Sequence, residues 1–141
     1  MDQTNIKIDT TDSTCPIVMV DDADLEFELV KRSYGRSKRD NPLLYFSNGP
    51  DFLVYLRGAH DNDDVLPALI LMDINMPDMT GFEVLESMRA DTRFECIPTV
   101  LMLSSSNDPL DVERSLKAGA NGYFVKRYKP SEYTEFFNSL E

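Results

Sequence analysis

Five short apolar runs recur along the chain, and the segments between them repeat apolar residues at helical spacing. The runs cover residues 16–20, 43–46, 68–72, 99–103 and 122–125. Continuous apolar runs that alternate with amphipathic helices are typical of parallel strands buried on both faces. The pattern therefore predicts an α/β chain of five βα units. The first, third and fourth runs are the most continuously apolar, so they are expected at the centre of the sheet.

The intervening segments predict five helices. Their apolar side chains fall on one helical face in 24–33, 50–57, 81–88, 109–118 and 131–140. Ser131 is the predicted N-cap of the last helix. The polar segments 35–42 and 58–67 are predicted surface loops, and the second contains His60, which is expected to be solvated.

Chain length and composition indicate one domain. The chain has 141 residues, of which 42% are hydrophobic and 28% charged. We expect residues 1–14, which are polar, to form a flexible N-terminal tail, and residues 15–141 to form the folded domain. A (βα)5 chain of this size most often forms a doubly wound, flavodoxin-like parallel sheet with the strand order 2-1-3-4-5.

Charge and residue usage exclude several classes of function. Fourteen basic and twenty-five acidic side chains give a net charge of -11, which opposes nucleic-acid binding. No window approaches the roughly 20 apolar residues of a membrane span, and the N-terminus lacks a signal peptide. Cys15, Cys96 and His60 are too few for a disulfide framework or a zinc site. These features predict a cytoplasmic protein with no nucleic-acid or membrane partner.

Polar residues follow four of the five predicted strands. Asp21 and Asp22 come after the first strand, Asp73 after the third, Ser104 after the fourth and Lys126 after the fifth. Ligands of doubly wound sheets bind beyond the carboxyl ends of the strands. With the order 2-1-3-4-5, the three carboxylates converge, and Ser104 and Lys126 flank them.

Three clustered carboxylates repel one another, at a cost on the order of 4 kcal/mol for each pair about 4 Å apart. A hard divalent cation relieves this repulsion, and Mg2+ suits a site of carboxylates, a backbone carbonyl and waters. Lys126 adds a positive charge. A carboxylate held in this way can act as a nucleophile toward phosphorus, since both cations neutralise the phosphoryl oxygens. Ser104 could donate a hydrogen bond to the same oxygens.

Each of these residues also has an ordinary structural interpretation. Asp21 and Asp22 can cap the first helix, and Asp73 can initiate the turn formed by 74–77. Lys126 can be a strand-end lysine whose stem is buried and whose ammonium is solvated.

Two further positions have similar alternatives. Ser104 can belong to loop and cap chemistry, and Ser105 competes with it for the same role. Tyr123 is by default an aromatic of the core or of an interface.

These residues together resemble the receiver domain of bacterial two-component response regulators. The resemblance covers residues 16 to about 140. Its motifs are Val-Met-Val-Asp-Asp at 18–22, Leu-Ile-Leu-Met-Asp-Ile-Asn-Met-Pro at 69–77 with Gly81 beyond, Leu-Met-Leu-Ser-Ser-Ser at 101–106, and Lys-Ala-Gly-Ala-Asn-Gly-Tyr-Phe-Val-Lys at 117–126.

The resemblance implies a phosphoryl acceptor. Asp73 would receive the group from a sensor histidine kinase or a phosphotransfer protein. Asp22, Asp73 and the Asn75 carbonyl would bind Mg2+, with Asp21 assisting through water, and Lys126 would contact the phosphoryl group.

The resemblance also implies a switch. Ser104 would move toward the acyl phosphate and Tyr123 would change rotamer with it, so that the surface of the fourth helix, fifth strand and fifth helix alters its affinity for a downstream protein. Asn75 and Ser106 resemble positions that tune hydrolysis. Beyond self-catalysed phosphoryl transfer and autodephosphorylation, the chain is not expected to be an enzyme.

Two features depart from the family pattern. Arg127 follows Lys126 where receivers usually have proline, and Pro130 comes only later, so a cis bond beside that lysine is not assured. The stretch 98–104 is one residue longer than expected. The segments 58–67 and 91–98 look like those of small regulators paired with phytochrome-type sensor kinases.

Because one residue remains after the last predicted helix, we expect a stand-alone receiver. The last predicted helix contains more aromatic residues than one buried stripe requires, namely Tyr133, Phe136 and Phe137. This excess predicts a weak homodimer through the face of the fifth helix.

Three alternatives compete with a working receiver. An aspartate-nucleophile phosphatase normally has a second aspartate where this chain has Asn75. A nucleotide-binding module lacks its glycine motifs here. A phosphorylation-independent pseudo-receiver would keep the fold and lose the chemistry.

Overall fold

The computed structural model describes residues 14–103, 109–126 and 130–140. The strands are β1 (Ile17–Val20), β2 (Leu43–Phe46), β3 (Leu69–Asp73), β4 (Thr99–Leu103) and β5 (Gly122–Val125). The helices are α1 (Asp24–Gly35), α2 (Gly49–Asp61), α3 (Gly81–Arg89), α4 (Pro109–Lys117) and α5 (Pro130–Ser139). All strand pairs are parallel, in the order β2-β1-β3-β4-β5. The predicted doubly wound α/β fold is therefore confirmed. The predicted tail over residues 1–14 lies almost wholly outside the described residues.

The strand register brings the two buried aspartates together. Val20 of β1 pairs with Met72 of β3, so that Asp21 and Asp73 come next on neighbouring strands. All residues of β1 and β3 are buried, whereas those of the edge strand β2 are half-buried. Continuous apolar sequence in β1 and β3 thus reflects burial on both faces of the sheet.

Two apolar cores lie on opposite faces of the sheet. One includes Phe52 and Leu56 of α2 together with Leu85 and Met88 of α3. The other is formed largely by α1, α5 and the strand residues that face them. Helices on both faces bury the sheet, and this leaves its carboxyl edge accessible for a site.

Aromatic residues of α5 belong to the second core. Phe137 is fully buried and packs edge-on against Tyr34 of α1, with ring centroids 4.8 Å apart. Tyr133 and Phe136 are 1% and 4% exposed, and both contact Phe124 of β5. The expectation that these aromatics exceed what one buried stripe needs was wrong, because α5 packs against both the sheet and α1. The homodimer itself stays a prediction, now without that support.

Several helix ends differ from the predictions by one to four residues, and two of these differences change the position of a named residue. The structure continues α2 through Gly58 to Asp61, so that His60 lies exposed in its last turn rather than in a loop. One glycine in a helix costs about 1 kcal/mol, which the packing of this helix offsets. In α5 the first helical residue is Pro130, so Ser131 lies in the first turn and is not the N-cap. None of the described helices is both long and apolar enough to cross a membrane.

Candidate functional site

Three carboxylates meet at the carboxyl edge of the sheet. Asp21 and Asp22 follow β1, and Asp73 is the last residue of β3. Each offers a carboxylate oxygen, and these oxygens lie within 4.8 Å of one another. Asp21 and Asp73 are buried, whereas Asp22 is exposed. The predicted convergence of the three carboxylates is confirmed as geometry.

Lys126 connects the two buried carboxylates. Its Nζ lies 3.0 Å from Asp21 Oδ2 and 3.2 Å from Asp73 Oδ1. Among the described residues, neither of these oxygens accepts a further hydrogen bond. The Lys126 side chain is only 14% exposed, so the interpretation as a solvated strand-end lysine does not hold.

The charges of the cluster fit a divalent cation. Three carboxylates and one ammonium leave a formal charge of -2, and all the acidic ligand atoms are hard oxygens. Mg2+ and Ca2+ prefer oxygen ligands, and Mg2+ commonly uses one or two carboxylates and several waters. Because Asp22 is exposed, waters can reach the cluster. The residues present therefore suit a hard divalent ion.

Burial changes the acidity of both partners in the central ion pair. Burial and then the charge of Asp21 raise the pKa of Asp73 from 3.8 to about 6, and these effects outweigh the attraction of Lys126. For Lys126, burial lowers the pKa, but the attraction of Asp21 and Asp73 is greater and raises it. At neutral pH, Asp73 is thus mainly ionised and Lys126 is charged.

Backbone contacts fix the turn between β1 and α1. The Asp21 N–H donates to the Phe46 carbonyl, and the Ala23 N–H donates to Asp21 Oδ1 at 2.8 Å. Ala23 is the N-cap residue of α1, and its own side chain makes no capping hydrogen bond. The alternative interpretation of Asp21 and Asp22 as N-cap residues is therefore wrong.

Tyr45 of β2 also contacts this turn, and the sequence reasoning missed it. Its hydroxyl donates to the Asp21 carbonyl oxygen at 2.6 Å, with Asp24 Oδ1 at 3.0 Å. Its ring stacks on Phe27 of α1, with centroids 4.3 Å apart. A tyrosine in an apolar run is normally taken for a core residue. The signal was positional, because β2 pairs with β1 and Tyr45 lies one residue from its carboxyl end.

A second turn holds Asp73 from the side of α3. Asp73 accepts a hydrogen bond from the Asn75 backbone N–H, and the Gly81 N–H donates to the Ile74 carbonyl. A Cβ on Gly81 would overlap the Asp73 carbonyl oxygen. Thr80 then begins α3 with a capping box that includes Glu83. The Asn75 side chain is exposed, two residues beyond the aspartate.

The remaining predicted site residues fall into two groups. Tyr123 lies on β5, pairs with Leu101 and is half-buried beside the core on the α2 and α3 face. Ser104, Ser105, Ser106 and Arg127 lie outside the described residues.

Residues 17–138 match the family model described as "Response regulator receiver domain". The chain belongs to this family. Its fold and the order of its motifs agree with that assignment, so the resemblance predicted from the sequence is confirmed.

Several relatives share this domain. The "Chemotaxis protein CheY homolog" of Campylobacter jejuni is 29% identical over 119 residues, which are 84% of this chain and 86% of that protein. The solved Mn(2+)-bound form of response regulator Rcp1 has a TM-score of 0.74 at 25% identity, with 88% and 89% of the two chains covered. The solved phosphorylated cyanobacterial phytochrome response regulator RcpA has a TM-score of 0.75 at 26% identity, with the same shares covered.

Family membership defines the broad role of the chain. Receiver domains are signalling modules of two-component systems, generally without enzymatic activity, and they interact with histidine kinases or phosphotransfer proteins and with downstream targets. The acidic cluster and the Mn(2+)-bound relative together indicate divalent metal binding.

Proposed function

We propose that the chain is a response regulator that accepts a phosphoryl group on Asp73 and signals through protein contacts. The observation that carries this proposal is the placement of Asp73: a buried, mainly ionised carboxylate with Lys126 at 3.2 Å and two further aspartates beside it. The donor is a phosphohistidine of a sensor histidine kinase or a phosphotransfer protein. An Asp73 carboxylate oxygen forms a bond to phosphorus while the N–P bond of the donor breaks, and the imidazole leaves.

Each charged neighbour has a proposed role. Asp22, Asp73 and the Asn75 carbonyl bind Mg2+, and Asp21 assists through water. When bound, the ion neutralises charge on the phosphoryl oxygens. Lys126 contacts the transferred group from the other side and keeps Asp73 in position.

The output is proposed to arise at the surface formed by α4, β5 and α5. Ser104 moves toward the phosphoryl group, and Tyr123 changes rotamer with it. The half-buried position of Tyr123 supports this role, because a rotamer change there alters which side chains the surface presents. Leu110 and Leu116 of α4 are 73% and 49% exposed and can contact a partner directly. Phosphorylation then shifts the population between two states.

Asn75 and Ser106 are proposed to tune autodephosphorylation.

The receiver domain is proposed to span residues 15–141. Among the described residues, Cys15 and Cys96 are not joined by a disulfide, which supports a reducing, cytoplasmic location. A weak homodimer through α5 remains a prediction. It is tested by measuring the molar mass in solution at increasing protein concentration.

The likeness to a phytochrome response regulator supports a narrower assignment. RcpA covers most of this chain at 26% identity. We therefore include a phytochrome-type sensor kinase as the proposed class of donor, and labelling by purified kinases of this and other classes tests it.

The proposed phosphorylation is tested by intact mass after incubation with acetyl phosphate, with and without Mg2+, for the wild type and Asp73→Asn. A single Mg2+-dependent phosphoryl adduct that is lost in the variant is expected. No adduct in the wild type, with no response to beryllofluoride, would instead favour the pseudo-receiver.

A further inference from the structure

The backbone of Asp21 is held from two sides by β2. Its N–H donates to the Phe46 carbonyl at 3.1 Å, and its carbonyl accepts the Tyr45 hydroxyl at 2.6 Å. The first contact continues the parallel ladder between β1 and β2. The second lies beyond the ladder and depends on a side chain. Without the Tyr45 hydroxyl, β2 would hold the N–H of Asp21 but not its carbonyl.

The held carbonyl belongs to the peptide that joins Asp21 to Asp22. A hydrogen bond to this oxygen restricts rotation of that peptide. The orientation of the peptide in turn determines the position and direction of the Asp22 Cα–Cβ bond. Asp22 is exposed, so core packing does not orient it. Asp21, in contrast, is also held through its carboxylate by Ala23 and Lys126. Tyr45 therefore matters most for the placement of Asp22.

The hydroxyl of Tyr45 is itself kept in place. The ring stacks on Phe27 of α1 with an interplanar angle of 15°. A phenolic hydroxyl has one proton to donate, and the Asp21 carbonyl, at 2.6 Å, is nearer than Asp24 Oδ1 at 3.0 Å. The contact to Asp24 brings the first turn of α1 to the same hydroxyl, so Tyr45 connects β2, the acidic turn and α1.

We propose that Tyr45 is a positioning residue that sets the divalent-metal affinity of the Asp21, Asp22 and Asp73 cluster. The inference rests on the proposed function, since it assigns Mg2+ to that cluster. Tyr45 touches neither the ion nor the phosphoryl group, and it acts through the Asp21 carbonyl. Groups that orient metal ligands commonly alter affinity by about 10- to 100-fold when they are removed.

The test compares Tyr45→Phe with Tyr34→Phe. The first variant keeps the ring and its stack on Phe27 but loses the hydrogen bond to Asp21. Tyr34 is a matched control: its hydroxyl donates to the Asn41 carbonyl at 2.8 Å and its ring packs on Phe137, but Asn41 lies before β2, at the opposite edge of the sheet. Both variants lose one hydroxyl-to-carbonyl hydrogen bond.

Titration calorimetry with MgCl2 gives the affinity. We expect the Kd for Mg2+ to rise about tenfold in Tyr45→Phe and to stay at the wild-type value in Tyr34→Phe. Labelling by acetyl phosphate at increasing Mg2+ should show the same shift in the half-saturating concentration, while the maximal rate is recovered at high Mg2+. A purely structural role would lower the stability of both variants without separating their Mg2+ affinities.

The outcomes distinguish the two proposals. An unchanged Kd in Tyr45→Phe, or an equal rise in Tyr34→Phe, overturns the role of Tyr45 alone. A wild type that binds Mg2+ but takes no phosphoryl group overturns the proposed function, and the calorimetric comparison still decides the role of Tyr45. A wild type that binds no Mg2+ overturns both.

Discussion

Nζ of Lys126 lies 3.2 Å from Oδ1 of Asp73. Lys126 follows β5 and Asp73 is the last residue of β3, and β4 lies between these two strands. The same nitrogen reaches Asp21 Oδ2 at 3.0 Å. One long side chain thus connects the ends of β5, β3 and β1. Two buried carboxylates share this cation, so the stability of the metal-free domain depends on it.

Replacement of Lys126 by methionine should destabilise the metal-free domain. The substitution keeps most of the stem but removes the charge that faces two buried carboxylates. Loss of one partner of a buried ion pair typically costs about 3 kcal/mol or more. We expect a loss of this order in urea unfolding at pH 7, and Mg2+ should restore part of it.

Lys117→Met is the matched control for that experiment. The Lys117 ammonium pairs with Glu113 at 2.9 Å on an exposed face of α4. Exposed pairs contribute less than about 1 kcal/mol. Similar losses in the two variants would contradict the assignment of Lys126 as the cation of a buried cluster.

Asp73→Asn should stabilise the metal-free domain at neutral pH. The pKa of Asp73 is about 6 in the fold against an ordinary 3.8, so between these values the folded state binds more protons. The contribution of Asp73 to the free energy of unfolding therefore falls as the pH rises from 3.8 to 6. The variant avoids this loss, and we expect a gain of roughly 1 to 3 kcal/mol at pH 7 that shrinks below pH 5.

Removal of any carboxylate also relieves the net charge of -11, so Asp91→Asn serves as the comparison. Hydrogen bonds from Arg93 lower the pKa of Asp91 to about 2. Its stabilising contribution is present above pH 3.8 and is lost as the pH falls toward 2. The variant should be less stable than the wild type at pH 7. A gain there would show that charge relief, not burial, explains the Asp73 result.

The strands were predictable because burial on both faces requires continuous apolar sequence. Three of the five have the predicted bounds, and the three most apolar runs form the central strands β1, β3 and β4, as predicted. The end of α2 was not predictable, since Gly58 looks like a helix stop whose small cost is overcome by packing further along the helix. The burial of the α5 aromatics depends on α1, and no local pattern reveals that partner.

The site was predictable where it depends on strand ends. The strands β1, β3 and β5 are parallel and lie within four adjacent strands of one sheet, so their carboxyl ends meet at the same edge. For this reason the side chains of Asp21, Asp73 and Lys126 converge. Tyr45 was missed because its role comes from its hydroxyl, and the apolar run around it indicates only a strand. Hydrogen bonds to a backbone carbonyl leave no sequence pattern of their own.

Asp22→Asn should abolish most of the stabilisation by Mg2+. Asp22 is exposed, so the substitution leaves the core intact while it removes a proposed ligand. An ion that binds only the folded state adds about 1.4 kcal/mol at roughly ten times its Kd. We expect the wild type to show this gain in thermal unfolding with MgCl2. Glu28→Gln makes the same charge change on an exposed position of α1 and should keep the gain. Retention of the gain in Asp22→Asn would remove Asp22 from the metal site.

Gly81→Ala should displace the backbone of Asp73 and so change the position of its carboxylate. The added Cβ would overlap the Asp73 carbonyl oxygen and crowd the Ile74 backbone, neither of which can rotate away as a side chain could. We expect a loss of about 1 to 3 kcal/mol in urea unfolding, together with slower labelling by acetyl phosphate at saturating Mg2+. Gly58→Ala is the control, because its Cβ would meet open space within α2 and should stabilise the domain by about 0.5 to 1 kcal/mol. If Gly81→Ala lost stability but labelled at the wild-type rate, the close approach of α3 would support only the fold, and the position of Asp73 would not depend on it.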